Sequence, residues 1–437
     1  MKTKEVFNNA KWIIICKIAQ SILQLIIGMI AARYLGPSNY GLISYAASIT
    51  AFAMPIMRLG LDAILVYQLV EEPEKEGEIM GTSLFLNVLM SILCMGGVAG
   101  FASIANFGET ETIIVCVLYS VSVFFAALEL TQYWFQYKLF SKYSSIIMLV
   151  AYLAVSAYKI FLLATQKNIY WFALSHAVEY GAVALLLFIF YFKKGGKRLT
   201  FSFSRVGKML SKSKHYILAG LITVVIQNTD HVMLTMMIGE TENGYYTAAI
   251  TCAVIAQFVF TAITDSFRPM ILLHKKENEV LYERDVSRLY GITVYLSILQ
   301  SIAFTIFAPI IVNIMYGAEY AATIPILQIL TWYFTFACIG VVRNIWLLAE
   351  EKQKYLPLIN FAGVVLNIVM NAFMIPVWGA FGAAFASFLT QMFMNLIVGF
   401  IFKPIRKNNV LLLRGLSPKF FITELRSTVK EILKKEK

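Results

Sequence analysis

The sequence contains two related stretches, Leu35-Gly36-Pro37-Ser38-Asn39-Tyr40-Gly41-Leu42-Ile43-Ser44-Tyr45-Ala46-Ala47 and Ile238-Gly239-Glu240-Thr241-Glu242-Asn243-Gly244-Tyr245-Tyr246-Thr247-Ala248-Ala249, each directly after a long apolar run. Gly36 aligns with Gly239, and Gly41 aligns with Gly244 at the same offset. Because glycine tolerates positive φ, each stretch predicts a tight turn that opens into a helix. Matched turns so far apart in the chain indicate an internal repeat of two halves.

The composition is typical of a membrane protein. Of the 437 residues, 59% are hydrophobic and only 14% are charged, with a mean hydropathy of +0.71. Soluble domains are about 45–50% apolar and about 25% charged, so a soluble globule of this size would have too few charges for its surface. One membrane helix needs about 20 apolar residues, and the chain therefore has room for about a dozen spans and for no large domain outside the membrane.

Twelve apolar stretches are bounded by charged or turn residues, and all are much longer than a β-strand and lack the alternation of an outer-membrane barrel. We therefore predict an all-α polytopic membrane protein with 12 transmembrane helices. The predicted spans are 12–32, 41–68, 80–105, 112–137, 143–165, 169–192, 214–238, 245–273, 290–315, 323–350, 355–376 and 381–402.

The Lys and Arg residues are distributed very unevenly between the connecting loops. Alternate loops and the two ends carry 30 of them, whereas the other loops carry only Arg33 and Lys167. Cytoplasmic loops of membrane proteins are enriched in basic residues, so both termini are predicted to lie in the cytoplasm. The net charge of +12 therefore reflects topology, and no nucleic acid is expected as a partner.

The longest predicted cytoplasmic loop, 193–214, separates six spans from six. Six is an even number, so the halves are predicted to insert in the same orientation, related by an axis along the membrane normal.

In the basic tail, Ser417 and Pro418 are helix-start signals and Phe421 begins an apolar side. This tail helix is predicted to lie on the anionic inner leaflet, with a solvated, disordered tail as the alternative. The predicted regions are an N-terminal lobe (1–192), a cytoplasmic linker (193–213), a C-terminal lobe (214–403) and a basic amphipathic cytoplasmic tail (404–437).

The two turns also carry a family resemblance. With the segment Ile375-Pro376-Val377-Trp378-Gly379-Ala380-Phe381-Gly382-Ala383-Ala384-Phe385-Ala386, they resemble the polysaccharide-transporter branch of the multidrug/oligosaccharidyl-lipid/polysaccharide (MOP) exporter superfamily, and within it Wzx-type O-antigen flippases. The resemblance implies two six-helix lobes in a MATE-like V shape and alternating access. It also implies a bacterial inner membrane location, a role in lipopolysaccharide biosynthesis, and an undecaprenyl-diphosphate-linked oligosaccharide as substrate. The polymerase and chain-length proteins of the same pathway are the protein partners that it implies.

Basic residues inside the predicted spans are candidate ligands for the phosphates of such a substrate. Lys17 and Gln24 share a polar stripe on the first span, which indicates a water-filled cavity; the alternative is that Lys17 snorkels to the headgroups. Arg58 and Asp62 are four residues apart, a spacing that permits an ion pair within one helix. An Arg at the centre of a span costs roughly 2.5–3.5 kcal/mol, which favours a cavity-facing Arg58 over a structural pair.

Arg268 and Arg343 lie in the cytoplasmic parts of the eighth and tenth predicted spans, with snorkelling as the alternative for Arg268. If their helices line one cavity, these arginines converge with Lys17 and Arg58 on its cytoplasmic half. A guanidinium binds phosphate oxygens in pairs, whereas an ammonium acts as a point charge. Such a ring of basic residues would suit a diphosphate headgroup.

Two more residues are candidate contacts for the cargo. Lys159, near the outer end of the fifth predicted span, either meets the phosphate outside or snorkels outward. Trp134 lies beside Gln132 and Tyr133, a combination that suits sugars because rings stack on sugar faces and amides bind hydroxyls. The aromatic belt at the membrane interface explains Trp134 equally well.

Three carboxylates inside the predicted spans are candidates for binding a coupling proton or sodium ion, because intramembrane carboxylates commonly mark ion pathways. Asp230 is preferred to Glu179 and Asp62, since it follows Gln227 along a polar stripe and has no clear cationic partner on its own helix. A role in helix packing is the alternative for each.

The sequence contains no P-loop, no GxGxxG after a strand and no catalytic or metal-binding motif. We therefore predict that the protein is not an enzyme and uses no cofactor or metal. The family resemblance implies that it is a flippase moving undecaprenyl-diphosphate-linked oligosaccharide by alternating access. One alternative is a MATE-like exporter of small cationic molecules, against which the basic cavity counts. The other is a membrane glycosyltransferase or polymerase, against which the short external loops count.

Overall fold

The computed structural model describes residues 2–255, 257–424 and 426, without the side chains of residues 2–11, 14 and 258. That part of the chain is all-helical and contains no β-strand, which confirms the predicted class. A π-helical segment, Phe393–Ile397, lies between the helix that ends at Met392 and the short helix that begins at Val398. The α-helices are α1 Lys2–Arg58, α2 Leu61–Glu71, α3 Glu76–Ala105, α4 Thr110–Leu128, α5 Gln132–Tyr137, α6 Ser141–Ala164, α7 Ile169–Lys193, α8 Phe203–Met237, α9 Glu240–Val254, α10 Gln257–Glu277, α11 Glu279–Met315, α12 Thr323–Ala349, α13 Leu356–Met392, α14 Val398–Ile401 and α15 Arg406–Leu416.

Two of the longest helices are interrupted by a glycine with non-helical backbone angles. In α1 the break is at Gly36 (φ 72°), and in α13 it is at Gly379 (φ 56°). Both glycines lie in loops that were predicted to face the outside, so each long helix consists of two helices joined at a kink. Gly239, the repeat partner of Gly36, also has a positive φ of 127°. The prediction of glycine-dependent turns is therefore confirmed at Gly36 and Gly239.

Many of these helices are suited to crossing a membrane. Among the described residues, nine helical segments are long and apolar enough to cross, and a tenth is added if the bent pair α9 and α10 forms one span. The protein is a multi-pass membrane protein. The count of 12 spans and the orientation of the termini stay predictions.

The chain divides into two compact units, 1–244 and 245–437. In the first unit, buried cores form around Tyr45 and around Trp134. In the second unit, a buried core forms around Trp346. Helix α8 therefore belongs to the first unit, and the predicted lobe boundaries on either side of the linker stay predictions.

The predicted linker is a docked segment in the structure. Arg205, in the first turn of α8, pairs with Glu72 Oε2 and Glu78 Oε1, each at 3.1 Å. Hydrogen bonds from Arg205 and then Lys75 lower the pKa of the Glu72 carboxyl to about 2. Residues 197–205 are thus held against the cytoplasmic end of the first unit, as that end is predicted from the basic loops.

The start of the predicted tail packs on the second unit. Asn408 of α15 accepts a 2.7 Å hydrogen bond from the Tyr290 hydroxyl of α11, and Lys407 pairs with Glu279 at 2.8 Å. The chain is helical again from Pro418 to Glu424. Phe421 lies against Tyr295, with ring centroids 4.4 Å apart. Phe421 is half-buried at this contact with α11, and the prediction that the tail helix lies on the inner leaflet stays a prediction.

The rest of the predicted tail helix falls on Leu425 and residues 427–437, which lie outside the described residues.

Candidate functional site

The two repeat turns pack directly on each other inside the first unit. A Cβ atom on Gly41 would collide with the carbonyl oxygen of Glu240, and a Cβ atom on Gly244 would collide with that of Pro37. The contact is therefore reciprocal, as expected for repeat partners that meet near a two-fold axis. Gly41 and Gly244 are needed for close backbone approach, and not for positive φ as the sequence suggested.

A chain of hydrogen bonds reinforces this contact. His231 Nδ1 lies 2.7 Å from Asn243 Oδ1, and Asn243 Nδ2 donates to the Gly41 carbonyl oxygen at 2.8 Å. The Ser44 hydroxyl of α1 lies 3.3 Å from the same His231 nitrogen. Asp230, the preferred coupling carboxylate, is only 6% exposed and precedes the histidine on α8. The candidate Asp230 is thus placed beside the contact between the turns.

Arg58 ends α1 and faces two carboxylates in the first unit. Its guanidinium nitrogens lie 3.7 Å from Asp62 Oδ2 and 3.7 Å from Glu129 Oε2. The Arg58–Asp62 pair, which was the alternative to a cavity-facing Arg58, therefore forms. The prediction that both residues share one helix is wrong, because the chain breaks between them at Gly60 (φ 64°).

Lys159 and Glu179 face each other between α6 and α7. Lys159 Nζ lies 3.5 Å from Glu179 Oε2, with the side chains 13% and 21% exposed. His176, one turn before Glu179, packs on the Tyr119 ring at a centroid distance of 4.5 Å. The Glu129 carboxylate interacts electrostatically with both Arg58 and Glu179. The two ion pairs thus belong to one network of three carboxylates and two cations.

Trp134 lies in the core of the first unit and offers no face to a cargo. Its ring is fully buried, and its Nε1–H donates to Glu76 Oε1 at 2.7 Å. The same carboxylate accepts from the Lys197 backbone N–H at 3.2 Å and pairs with Lys138 Nζ at 2.7 Å. The predicted sugar contact of Trp134 is therefore wrong for this structure, because neighbouring side chains cover both the ring and its only polar atom.

The second unit holds a buried arginine with neutral partners. Arg343 on α12 is 3% exposed; it donates to the Met394 carbonyl oxygen at 2.7 Å and to Asn344 Oδ1 at 3.2 Å. Its Nε atom has no hydrogen-bond partner among the described residues. Met394 lies in the π-helical segment, and such segments are frequent at functional sites.

Three predicted ligands are exposed side chains: Lys17 and Gln24 on α1, and Arg268 on α10. Within the described part of the chain, no ion pair involves Lys17, Arg268 or Arg343. The structure thus pairs Arg58 and Lys159 with carboxylates and leaves the other three basic candidates without a carboxylate partner.

Residues 6–272 match the family model described as "Polysaccharide biosynthesis protein". The chain belongs to this family. No curated protein sequence matches it significantly. Among solved structures, it resembles "Lipid II flippase MurJ, inward closed conformation" at a TM-score of 0.73 and 16% identity, over 95% of this chain and 92% of that one.

Members of the MATE family also share the fold. A multidrug resistance MATE transporter of the MOP superfamily in its inward-facing conformation matches at a TM-score of 0.70 and 12% identity, over 90% of this chain and 95% of that one. A mutant of the Vibrio cholerae MATE transporter VcmN matches at a TM-score of 0.59 and 12% identity, over 94% of this chain and 98% of that one. The polysaccharide biosynthesis protein thus has the MOP transporter fold, and the proteins that it resembles are transporters and flippases.

Two residues that organise the site of this polysaccharide biosynthesis protein could not be chosen from its sequence. Glu76 follows Pro73 in a charged loop, where it looks like a solvated side chain, yet it is only 1% exposed. Asn243 looks like an ordinary turn residue, yet it is fully buried. Its position directly before the repeat glycine was the only available signal.

Proposed function

We propose that the protein is a flippase that moves an undecaprenyl-diphosphate-linked oligosaccharide across the bacterial inner membrane by alternating access. The observation that carries this proposal is the buried Arg343, whose described partners are neutral. A buried charge is normally paired, and a phosphate oxygen is the partner that a guanidinium binds best. The family and the likeness to a lipid II flippase support a lipid-linked cargo.

We propose 12 spans with both termini in the cytoplasm. Helix α1 has 57 residues, and at about 1.5 Å per residue it is too long for a hydrocarbon core of about 30 Å. The kink at Gly36 supports two spans there, and the kink at Gly379 supports two more in α13–α14. Reporter fusions should place residues 193–214 in the cytoplasm and residues 239–244 outside. A periplasmic signal from 193–214 would contradict this topology.

We propose that Lys17, Arg268 and Arg343 attract the diphosphate, with Gln24 beside Lys17. Arg58 and Lys159 stay in the proposed set, and the cargo would compete with Glu129 and Glu179 for them. The coupling carboxylate is proposed to be Asp230, Glu179 or Asp62. The polymerase and chain-length proteins of the pathway are proposed as partners that receive the flipped cargo.

The test of this function is flipping of a fluorescent lipid-linked oligosaccharide in liposomes. Arg268→Gln should reduce flipping strongly without unfolding the protein, because Arg268 is exposed and has no described ion pair. Lys419→Gln is the matched control, since it also removes one exposed positive charge, but from the tail. Equal flipping rates in the two variants would contradict a role for Arg268, and no flipping by the unmodified protein would contradict the proposed function.

The second candidate function is export of small cations, and the charge network around Arg58 and Lys159 favours it. Asp62, Glu129 and Glu179 outnumber Arg58 and Lys159 by one. A cationic dye that competes with the lipid, or that accumulates on one side of the liposomes, would support this function. Indifference of the flipping rate to such dyes would leave the lipid-linked cargo as the substrate.

A further inference from the structure

The hydrogen-bond chain at the two repeat turns has a defined direction. A carbonyl oxygen only accepts hydrogen bonds, so the Asn243 amide nitrogen must face the Gly41 carbonyl oxygen at 2.8 Å. The Asn243 amide oxygen then faces His231 Nδ1 at 2.7 Å. Because this oxygen also only accepts, Nδ1 must carry a hydrogen. A proton taken up by the neutral ring therefore adds at Nε2.

Protonation of His231 would strengthen this chain rather than break it. The bond from Nδ1 to Asn243 persists, but its donor becomes charged, and hydrogen bonds with an ionised partner are about twice as strong as neutral ones. Burial of the ring opposes its charged form, whereas the hydrogen bond with Asn243 and the Asp230 carboxylate favour it. The turn that carries Asn243 is thus held more tightly against Gly41 when the ring is charged.

We propose that His231 is the site that takes up a coupling proton, and that the protonated ring holds the turn of Gly239–Gly244 against the turn of Gly36–Gly41. This inference rests on the proposed transport function, and it assigns the coupling proton to the histidine beside Asp230 in place of the three candidate carboxylates. The proton adds to Nε2 from the solution, and its loss weakens the link through Asn243, so the turns separate more easily. The residue is buried, with 8% of its surface exposed.

Other ionisable groups lie on the elements around His231: Asp230 on α8, Glu240 and Glu242 on α9, Tyr45 on α1 and Cys116 on α4. In solution carboxyls titrate near pH 4, and thiols and phenols titrate above pH 8. Imidazole is the group whose ordinary range lies between these limits. A response between pH 5.5 and 7.5 is expected of a histidine, and because burial moves carboxyls towards the same range, the His231 variants decide between the two groups.

The contact between the turns can be measured with spin labels on Ser38→Cys and Thr241→Cys. These exposed residues occupy equivalent positions of the two turns, and the five native cysteines are buried. The ratio of the short-distance to the long-distance population should be roughly fivefold higher at pH 5.5 than at pH 7.5, from the greater strength of a hydrogen bond with a charged donor.

Variants of three histidines distinguish His231 from His215 and His176 as the group that takes up the proton. His231→Gln should remove the pH response of the labels and the acceleration of flipping by a pH gradient. His215→Gln, an exposed histidine on the same helix, should retain both. The proposal is overturned if His231→Gln keeps the pH response, or if His176→Gln loses it instead.

A further variant keeps the test valid if His231→Gln does not fold. Asn243→Ser retains the imidazole but removes the amide link to Gly41, so it should also lose the pH response of the labels; a retained response would overturn the proposal. Failure of the unmodified protein to flip any lipid-linked oligosaccharide would instead refute the proposed function, because the label response is measured without substrate.

Discussion

Glu76→Ala should release the docked segment that follows α7 while leaving the membrane helices folded. Glu76 is 1% exposed and accepts hydrogen bonds from Trp134 Nε1 and the Lys197 backbone N–H, besides pairing with Lys138. Lys138 is 33% exposed and regains water when the carboxylate is removed. The Trp134 N–H is buried and cannot form a hydrogen bond with water when the carboxylate is removed. The buried Trp134 donor left unsatisfied costs about 1–3 kcal/mol, and the lost hydrogen bond from the part-buried Lys197 N–H adds about 1 kcal/mol, so we expect a loss of about 2–4 kcal/mol in this region.

Limited trypsin digestion in detergent measures this loss, because Lys197 and Arg198 are cleavage sites within the docked segment. If cleavage follows local opening, the opening constant should rise roughly 30-fold to 1000-fold, since about 1.4 kcal/mol is one factor of ten. Glu74→Ala is the matched control, because Glu74 is 96% exposed and lies 4.0 Å from Lys197 Nζ. Equal cleavage rates in the Glu76→Ala and Glu74→Ala proteins would refute the reasoning.

Three further predictions concern the turns, the first charge network and the linker. Gly244→Ala should abolish stable expression, measured by size-exclusion chromatography, whereas Gly97→Ala should not, because a Cβ at Gly97 meets no atom within 4 Å. Arg58→Ala should lower the melting temperature, and adding Glu129→Gln should restore part of it, since the second change removes the carboxylate left without its arginine. Acid should release the linker only as the pH falls from about 4.5 towards 2, because the pKa of the Glu72 carboxyl is lowered from 4.5 to about 2 and its stabilising charge is lost over that range. Trypsin cleavage is measured after brief acid exposure at each pH. An increase in cleavage at any pH above 5 would contradict this prediction.

The positions of the turns followed from local sequence, but the partners of the turns did not. Gly36 and Gly239 could be predicted because a positive φ restricts the choice of residue at that position. Nothing in the sequence shows that the Gly41 turn meets the Gly244 turn, since this depends on how the helices before them cross. The repeat was a usable signal, because repeat partners related by a two-fold axis meet where the axis passes between them.

For the charged residues too, a contact between residues close in sequence could be predicted, whereas contacts between distant residues could not. The Arg58–Asp62 contact could be predicted from a spacing of four. The Arg58–Glu129 and Lys159–Glu179 contacts join residues from different helices, and no periodicity within one helix reports them. Trp134 was misplaced for this reason: its neighbours in sequence are polar and aromatic, but its actual partner, Glu76, is 58 residues away.

The ion-pair and hydrogen-bond partners of each intramembrane arginine determine which arginine can best bind a phosphate of the cargo. Arg58 already has two carboxylates at 3.7 Å, and a phosphate would have to displace one of them or approach against their negative charge. Arg343 is bound to a backbone carbonyl and an amide oxygen, and a phosphate that replaces either gains a charge-assisted bond in place of a neutral one. The carbonyl belongs to Met394 in the π-helical segment, where the backbone hydrogen-bond pattern already departs from the regular helix. The neutral partners of Arg343 are therefore weaker competitors for a phosphate than the two carboxylates at Arg58, so within the proposed set we expect Arg343 to hold the anionic headgroup more strongly than Arg58.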